Sequence, residues 1–438
     1  MTSANRLAPV LFLVLVLLAL PQPALAARTI KVGDGTAASC TEAALRNALI
    51  LAGGERSSII QFRCGAQPVV ITVAATLTIP DNTTINGNAL ITLDGNFFPG
   101  SILHVDPHTT VALLNLTIDR GGQLSGGVSG GGLFNAGTVT VSGCTFSRSV
   151  ATNGGGIFNQ GTLAVDSSTF TENTALDFGG GIFSQGTLTV RKSTFAGNHT
   201  FHTGGGIYSD GALTVQRGTF DGNTSGLTGG GIFAQGTIAV RDSAFHDNHS
   251  GFQGGALTAG AGTHTVYDST ITQNIADESG GGINNLGTLT VRNTTISQNS
   301  TGFGGGIHNQ GGTLVVKTST ITENTVFIQG GGLYNFQQGT IAISDSAITQ
   351  NTAGQGGGIF IDDGTVTVDH SAITQNTANV WGGGIFNAGA VTVRNSLITR
   401  NTAGTDGGGI YTALDGGGIP PKLRNSIVAD NTPNDVVP

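Results

Sequence analysis

The chain has 438 residues, 72 of them glycine, and only 10 % are charged. Its net charge of −8, from 26 acids and 18 bases, comes without a run of Lys or Arg along the chain, so no nucleic-acid partner is expected. Glycine at this level without a strict every-third-residue pattern excludes collagen and points to a repetitive, turn-dense architecture.

The first 26 residues, MTSANRLAPVLFLVLVLLALPQPALA, carry one cation (Arg6), an apolar run from Val10 to Leu20 and Ala24-Leu25-Ala26 before Ala27. This pattern reads as a secretory signal peptide, residues 1–26, too short for a comfortable membrane span. Nothing later reaches 18 consecutive apolar residues, so no transmembrane anchor is expected after its removal. The expected location is therefore secreted, extracellular or cell-surface, with the periplasm as a variant. Residues 27–68 form an N-terminal cap. Cys40 and Cys64 fit an oxidising compartment and could close a loop there, which stabilises by about 3 kcal/mol in the loop-entropy account.

Within the cap, SCTEAALRNALILAGG is the one convincing helix. Ser39 and Glu42 have capping-box spacing, Gly53-Gly54 is a stop, and Ala43, Ala44, Leu45, Ala48, Leu49 and Ile50 supply an apolar face. IIQF and VVITVAATLTI follow as strands.

From Gly130 the chain is periodic. An aliphatic residue follows the glycines at Leu133, Ile157, Ile182, Ile207, Ile232, Leu257, Ile283, Ile307, Leu333, Ile359, Ile385 and Ile410, spaced by 24 to 26 residues. A second column runs Ser149, Asn173, Asn198, Asn223, Asn248, Asn274, Asn299, Asn324, Asn351, Asn376, Asn401 and Asn431. Inside each unit the alternation has the period of strands. In GIFNQGTLAVDSSTFTEN the pairs Ile157/Asn159, Leu163/Val165 and Ser168/Phe170 share inward faces. Three short strands with glycine or asparagine turns make one coil, and stacked coils pair in parallel about 4.8 Å apart. The expected fold is all-β: a parallel β-helix over residues 69–432, about 14 coils and roughly 65 Å long, with a tail at 433–438. The asparagines form a structural ladder by amide hydrogen bonds between coils, with Gly and Asn serving the turns that need φ > 0. Phe146, Phe170, Phe195, Phe220 and Phe245 stack inside, and Cys144, in the inward serine column of Ser168 and Ser193, is a buried thiol.

The units pair GGGI with FTEN, FAGN, FDGN and FHDN, and once GGAL with a later unit (Gly254–Leu257). This pairing resembles the polymorphic outer-membrane protein repeat of right-handed parallel β-helix proteins. The segment CTEAALRNAL…IIQFRCG resembles the N-terminal cap of secreted bacterial β-helix proteins in the pectin-lyase-like superfamily. Together the matches span most of the mature chain. The resemblance implies right-handed winding, in line with the crossover rule for parallel strands, and a surface protein of adhesin type. Relatives of that type are exported through a C-terminal barrel, whereas this sequence stops at NTPNDVVP after the last ladder asparagine. Its last coil is expected to be blunted by Pro420, Pro421 and Pro433, or covered by a partner or an end-to-end contact, unless the sequence is truncated.

Superfamily enzymes place carboxylates on the outer face of neighbouring coils, with Ca²⁺ beside an Arg or Lys base in lyases and an acid/base pair in hydrolases. Here the column after the middle strand reads Asp166, Arg191, Gln216, Arg241, Tyr267, Arg292, Lys317, Ser344, Asp369, Arg394, and its neighbour reads Ser167, Lys192, Arg217, Asp242, Asp268, Asn293, Thr318, Asp345. The mixed signs read as cross-coil ion pairs at a solvated corner. Asp362-Asp363 is a turn, and Asp177 and Glu278 are four coils apart. No catalytic residue is assigned. His199 and His249 share a column two coils apart, about 10 Å and too far for one ion. Even with His202 and His246 nearby, no metal and no cofactor is expected.

The column after the inward aliphatic points outward: Phe134, Phe158, Phe183, Tyr208, Phe233, Thr258, Asn284, His308, Tyr334, Phe360, Phe386 and Tyr411. It reads as a stabilising aromatic ladder or as an exposed apolar groove for sugar rings or a partner. Phe178, Leu227, Phe252, Phe303, Ile328 and Trp381 add a second apolar corner. Thr187/Thr189, Thr288/Thr290 and Thr365/Thr367 resemble the T-x-T array of some β-helical ice-binding proteins, but threonine also recurs on the next strand (Thr169/Thr171, Thr270/Thr272, Thr320/Thr322), as β-propensity alone would place it. The reading is a non-catalytic surface scaffold, adhesin-like, that binds a polysaccharide or another surface protein. A polysaccharide lyase or glycoside hydrolase is the alternative, and an ice-binding protein a minor one.

Overall fold

The computed structural model describes residues 27–124 and 127–437. The signal peptide read at 1–26 lies outside the described residues. The rest is an all-β parallel solenoid of about 15 turns, one more than the 14 expected. Its strands pair in parallel with their counterparts in the next coil, so Ile157 lies beside Leu133 on one side and Ile182 on the other.

One coil shows why the sequence repeats. It runs through Ile157–Asn159, Thr162–Asp166, Thr169–Thr171 and Thr174–Phe178. These lie on three faces, because the second and third strands belong to one long face bent at a corner. The corner residue, Ser167, has φ 48°, and its equivalents Lys192, Arg217, Asp242, Asp268, Asn293 and Thr318 are also left-handed. A second left-handed position directly precedes the ladder asparagine, at Glu172 (φ 55°), Gln273 (59°) and Glu323 (57°). The ladder asparagines themselves are therefore not the φ > 0 residues; their neighbours are. In the glycine triplet only the first, Gly154, has positive φ (62°). At Gly155 and Gly156 an added Cβ would meet carbonyl oxygens of the next coil at 2.5 and 2.6 Å, so all three positions exclude a side chain for different reasons.

The interior is a set of like-on-like columns. Phe146, Phe170, Phe195, Phe220 and Phe245 are fully buried, with ring centroids 4.7–5.1 Å apart and planes within 6°. Asn173 through Asn401 are fully buried too. Asn299 is typical. Its Nδ2 donates to Asn324 Oδ1 (2.9 Å) and Ile271 O (3.0 Å), and its Oδ1 accepts from the backbone N–H (2.9 Å) and Nδ2 (3.0 Å) of Asn274. After Asn431 the carboxylate of Asp435 takes the place of the next asparagine, accepting from Asn431 N and Nδ2, each at 3.0 Å. The inward Ser column works the same way: the Cys144 N–H donates to Ser168 Oγ and that of Ser168 to Ser193 Oγ, both at 3.1 Å. The Cys144 thiol is free and 1 % exposed, and burial pushes its pKa up to about 11, leaving it inert.

At the other end the helix α1 (Glu42–Ala52) packs Leu45, Ala48, Leu49 and Ala52 onto the cap strands. Its N-cap is Thr41, whose hydroxyl accepts from Ala44 N, not Ser39, which closes a short 3₁₀ turn (Ala37–Ser39). Glu42 turns to Arg46 instead of back to a cap, and Ile50 and Ala43 face solvent, which narrows the expected apolar face. Cys40 and Cys64 form a disulfide.

Two outcomes follow from these columns. Asn299→Ala orphans the Asn274 N–H and amide and the Ile271 carbonyl, and should cost about 3–5 kcal/mol by urea unfolding; a loss below about 1 kcal/mol would show the ladder to be dispensable. Thr318→Asn relieves a β-branched residue at φ 49° and should stabilise by about 0.5–1 kcal/mol.

Candidate functional site

The outward aromatic column is ordered differently from an exposed groove. Phe158, Phe183, Tyr334, Phe360 and Phe386 are 2–7 % exposed, and Phe134, Tyr208, Phe233 and Tyr411 are half-buried. They do point away from the main core, but the preceding loop of the same coils folds over them. Phe178 stacks on Tyr208 (4.7 Å), Phe303 on Tyr334 (5.7 Å) and Trp381 on Tyr411 (5.6 Å). Phe178, Phe303 and Trp381 of the second corner therefore bury against the first instead of extending an exposed surface, and a second small core forms around Tyr334, Phe360 and Phe386. Leu227, Phe252 and Ile328 of the same corner stay exposed as expected, with Phe201 and Phe327 close by in sequence.

The aromatic column breaks in the middle. Thr258, Asn284 and His308 occupy three consecutive rungs and are as buried as the rings. Thr258 donates to the Gln253 carbonyl (3.0 Å) and Asn284 Nδ2 to Gln253 Oε1 (3.0 Å). Asn284 Oδ1 and both ring nitrogens of His308 have no partner. His308 stacks on Tyr334 at 5.0 Å, and its desolvation lowers its pKa to about 4.

Two buried carboxylates sit on adjacent coils near the N-terminal end. Asp94 and Asp119 pair in register and are 4 % and 5 % exposed. Arg120 grips Asp94 through both Nε (2.9 Å) and Nη2, and Arg148 grips Asp119 through Nε (2.9 Å) and Nη2 (2.5 Å), while Ser147 adds a 2.8 Å bond to Asp119. Hydrogen bonding to these carboxylates raises the pKa of both arginines above the ordinary guanidinium value. Every carboxylate oxygen is engaged, so the pair acts as a zipper and holds no free acid or base. Both carboxylates lie before Gly130, where the regular repeat becomes legible, so the column pattern does not bring them together. The signal was present in ITLDG and LTIDR, which continue the strand of TFSR backward.

The corner of the long face is more open. In register along it run Arg191, Gln216, Arg241, Tyr267, Arg292 and Lys317, each followed by its left-handed neighbour Lys192, Arg217, Asp242, Asp268, Asn293 or Thr318. Of the expected cross-coil ion pairs only one forms here: Arg241 Nε lies 3.4 Å from Asp268, with Asp242 at 3.6 Å in its own coil. Arg191, Lys192, Arg217, Arg292 and Lys317 are exposed and make no ion pair among the described residues. Asp268 also accepts from Asn293 Nδ2 at 2.7 Å, so its carboxylate bonds to the neighbouring coil on each side. Six cations against two acids give +4 over six coils of a chain whose net charge is −8. Arg241, Tyr267, Asp268, Arg292, Asn293 and Thr318 line a shallow groove of about 480 Å³ there.

At and just beyond the far end of the short strand that follows this corner lie four histidines. His199 bonds to Thr224 (2.7 Å), His249 to Asp277 (2.8 Å), and His202 sits 3.4 Å from Asp177. These three have separate partners. His246 instead meets Asp221 and Asp247 together, a group that column spacing did not single out.

The Right handed beta helix region model matches residues 184–348. The Chlamydia polymorphic membrane protein repeat matches residues 167–185 and 395–413. The chain is a β-helix protein with polymorphic membrane protein-type repeats. No curated protein matches it. Among solved structures the A-module of the mannuronan C-5 epimerase AlgE6 from Azotobacter vinelandii aligns over 93 % of this chain and 97 % of its own, at 14 % identity and a TM-score of 0.40.

In this β-helix, outward threonines occur on both halves of the long face, Thr187 and Thr288 on one and Thr270 and Thr295 on the other. The N-x-[ST] asparagine Asn198 is fully buried in the ladder. No helix among the described residues is long and apolar enough to cross a membrane. The buried break generates a pH prediction. His308 has a lower pKa folded (about 4) than unfolded (about 6.5), so the unfolded chain binds the proton more readily. Stability is therefore full above pH 6.5 and falls by about 3 kcal/mol as pH drops to 4. His308→Phe, which continues the aromatic column, should abolish that share of the loss, read as urea midpoints at pH 7 and 4.5.

Proposed function

We propose that this β-helix is an adhesin-like surface scaffold that binds an acidic glycan along its cationic edge and does not cleave it. The repeats are those of surface proteins of autotransporter type, which supports an outer-membrane or surface location, and we assign residues 1–26 the role of a removable export signal. The observation that carries the reading is the Arg191–Lys317 edge: five unpaired cations within six coils, with Tyr267 set between Arg241 and Arg292. Guanidinium groups bind carboxylate or sulfate bidentately, and a ring at their level offers a face on which a sugar can lie. A regular repeat of about 4.8 Å per coil lets a long polyanion meet several cations at once, so modest contacts add up.

The second reading is a polysaccharide-cleaving enzyme, and Asp94 with Asp119 is the observation in its favour. Their saturation by Arg120 and Arg148 speaks against it.

The test measures retention on polyuronate, sulfated glycan and neutral dextran columns together with newly formed sugar ends. Acidic glycans should be retained, with retention falling as salt rises. The triple variant Arg241→Gln/Arg292→Gln/Lys317→Gln should weaken binding by about tenfold or more. Equal retention on dextran would overturn the reading. Sugar ends that appear with the parent chain and vanish with Asp119→Asn would establish the enzyme instead.

A further inference from the structure

The far end of the strand Ala244–His246, which begins beside the cationic corner, carries a convergence of groups that a ladder does not explain. Asp221 and His246 are register partners on adjacent coils, and Asp247 follows His246 at a left-handed corner (φ 51°). His246 Nδ1 lies 3.0 Å from Asp221 Oδ1 and 3.3 Å from Asp247 Oδ2, and one ligand atom from each residue falls within 4.8 Å of the others. On its far side His246 Nε2 meets Gln273 Oε1, an acceptor, at 2.5 Å. A neutral imidazole that donates there from Nε2 leaves a lone pair on Nδ1. Three acceptors, one nitrogen and two carboxylate oxygens, then face one point with no proton between them.

We propose that Asp221, His246 and Asp247 form a binding site for a divalent transition metal of the zinc type. Ligand atoms of a tetrahedral ion with bonds of about 2.0–2.1 Å stand about 3.3 Å apart, close to the two measured separations from Nδ1. One imidazole with two carboxylates suits Zn²⁺ or Co²⁺ better than Ca²⁺, which takes oxygen ligands only and more of them. The bond from Nε2 to Gln273 is the outer support that metal-binding histidines characteristically have, since it holds the ring and selects the nitrogen that binds. The framework beneath is rigid, because Phe245 and Asn248, on either side, are fully buried in the stacked columns. Three protein ligands leave a coordination position open to water or to a donor from a bound partner.

The raised pKa of His246, caused first by its bond to Asp221, reflects the same demand for positive charge at this point. A proton can meet it, and that is the competing account the experiment must exclude.

The untagged chain, stripped with chelator, is titrated at pH 7.5 with Co²⁺ followed by visible absorption, then with Zn²⁺ as competitor. One Co²⁺ per chain should bind with the absorption of a tetrahedral site and be displaced by Zn²⁺. His246→Ala and Asp221→Asn should each lose this spectrum while keeping the parent's circular dichroism. Gln273→Ala should weaken binding without abolishing it. His370→Ala, which removes a histidine paired with Asp369 alone (3.0 Å), should bind as the parent does. No stoichiometric binding, or binding unchanged in folded His246→Ala, would overturn the assignment and leave the cluster as a protonated histidine between two carboxylates.

Discussion

A buried asparagine in this solenoid satisfies its amide by bonding to its equivalents one coil above and one below and to a backbone carbonyl. That constraint organises the molecule. From Asn173 to Asn431 each amide donates upward at 2.9–3.0 Å and accepts from the backbone and amide beneath. The bonds hold the rise and register of every coil, so the rings at Phe146–Phe245 meet face to face and the glycine triplets meet carbonyls closely enough to exclude Cβ atoms. A slip by one residue would leave every amide and every ring mismatched at once, which is why the interior repeats so strictly.

The same logic explains what could be read from the residues and what could not. Inward columns were legible because burial forces the same residue type to recur every 24 to 26 positions, and the period and alternation together specify a parallel β-helix. Alternation says only that Phe158 leaves the coil opposite to Ile157. It does not say that Phe178, Phe303 and Trp381 fold back over that side, because the loop's path depends on its own backbone geometry. Likewise the opposite charges at Asp166/Arg191 and Arg217/Asp242 look like partners in aligned columns. Neither pair closes, and at this corner only Arg241 reaches an acid of the next coil, Asp268. The Asp94–Arg120 and Asp119–Arg148 zipper escaped for a simpler reason: the first coils are longer and fall outside the period that reveals the others.

Function on such a scaffold has to live where a ladder is interrupted, because a saturated column has no bonding capacity left for anything else. Three kinds of interruption are present. The aromatic column breaks into Thr258, Asn284 and His308, but there the break is sealed under Gln253 and faces no solvent. The acidic pair at Asp94 and Asp119 is neutralised by two arginines. At the outer edges of the middle coils, by contrast, the interruption is exposed: Tyr267 between two arginines at the corner, His246 between two aspartates at the far end of the strand that follows it.

That placement also bears on why binding is the better reading than catalysis. Catalysis needs a group whose protonation state can change during the reaction, close to a second group that senses it. The paired carboxylates here have both oxygens occupied by bidentate arginines, which leaves neither free to face a substrate. The exposed cations have the opposite character: they are always charged, unpaired, and repeated at intervals set by the coil rise. Under the proposed glycan-binding function, an acidic polymer would gain from each of them in turn, and its affinity would grow with the number of coils that keep the column cationic. Length, which the asparagine ladder makes possible, is then not incidental to recognition but the quantity that sets its strength.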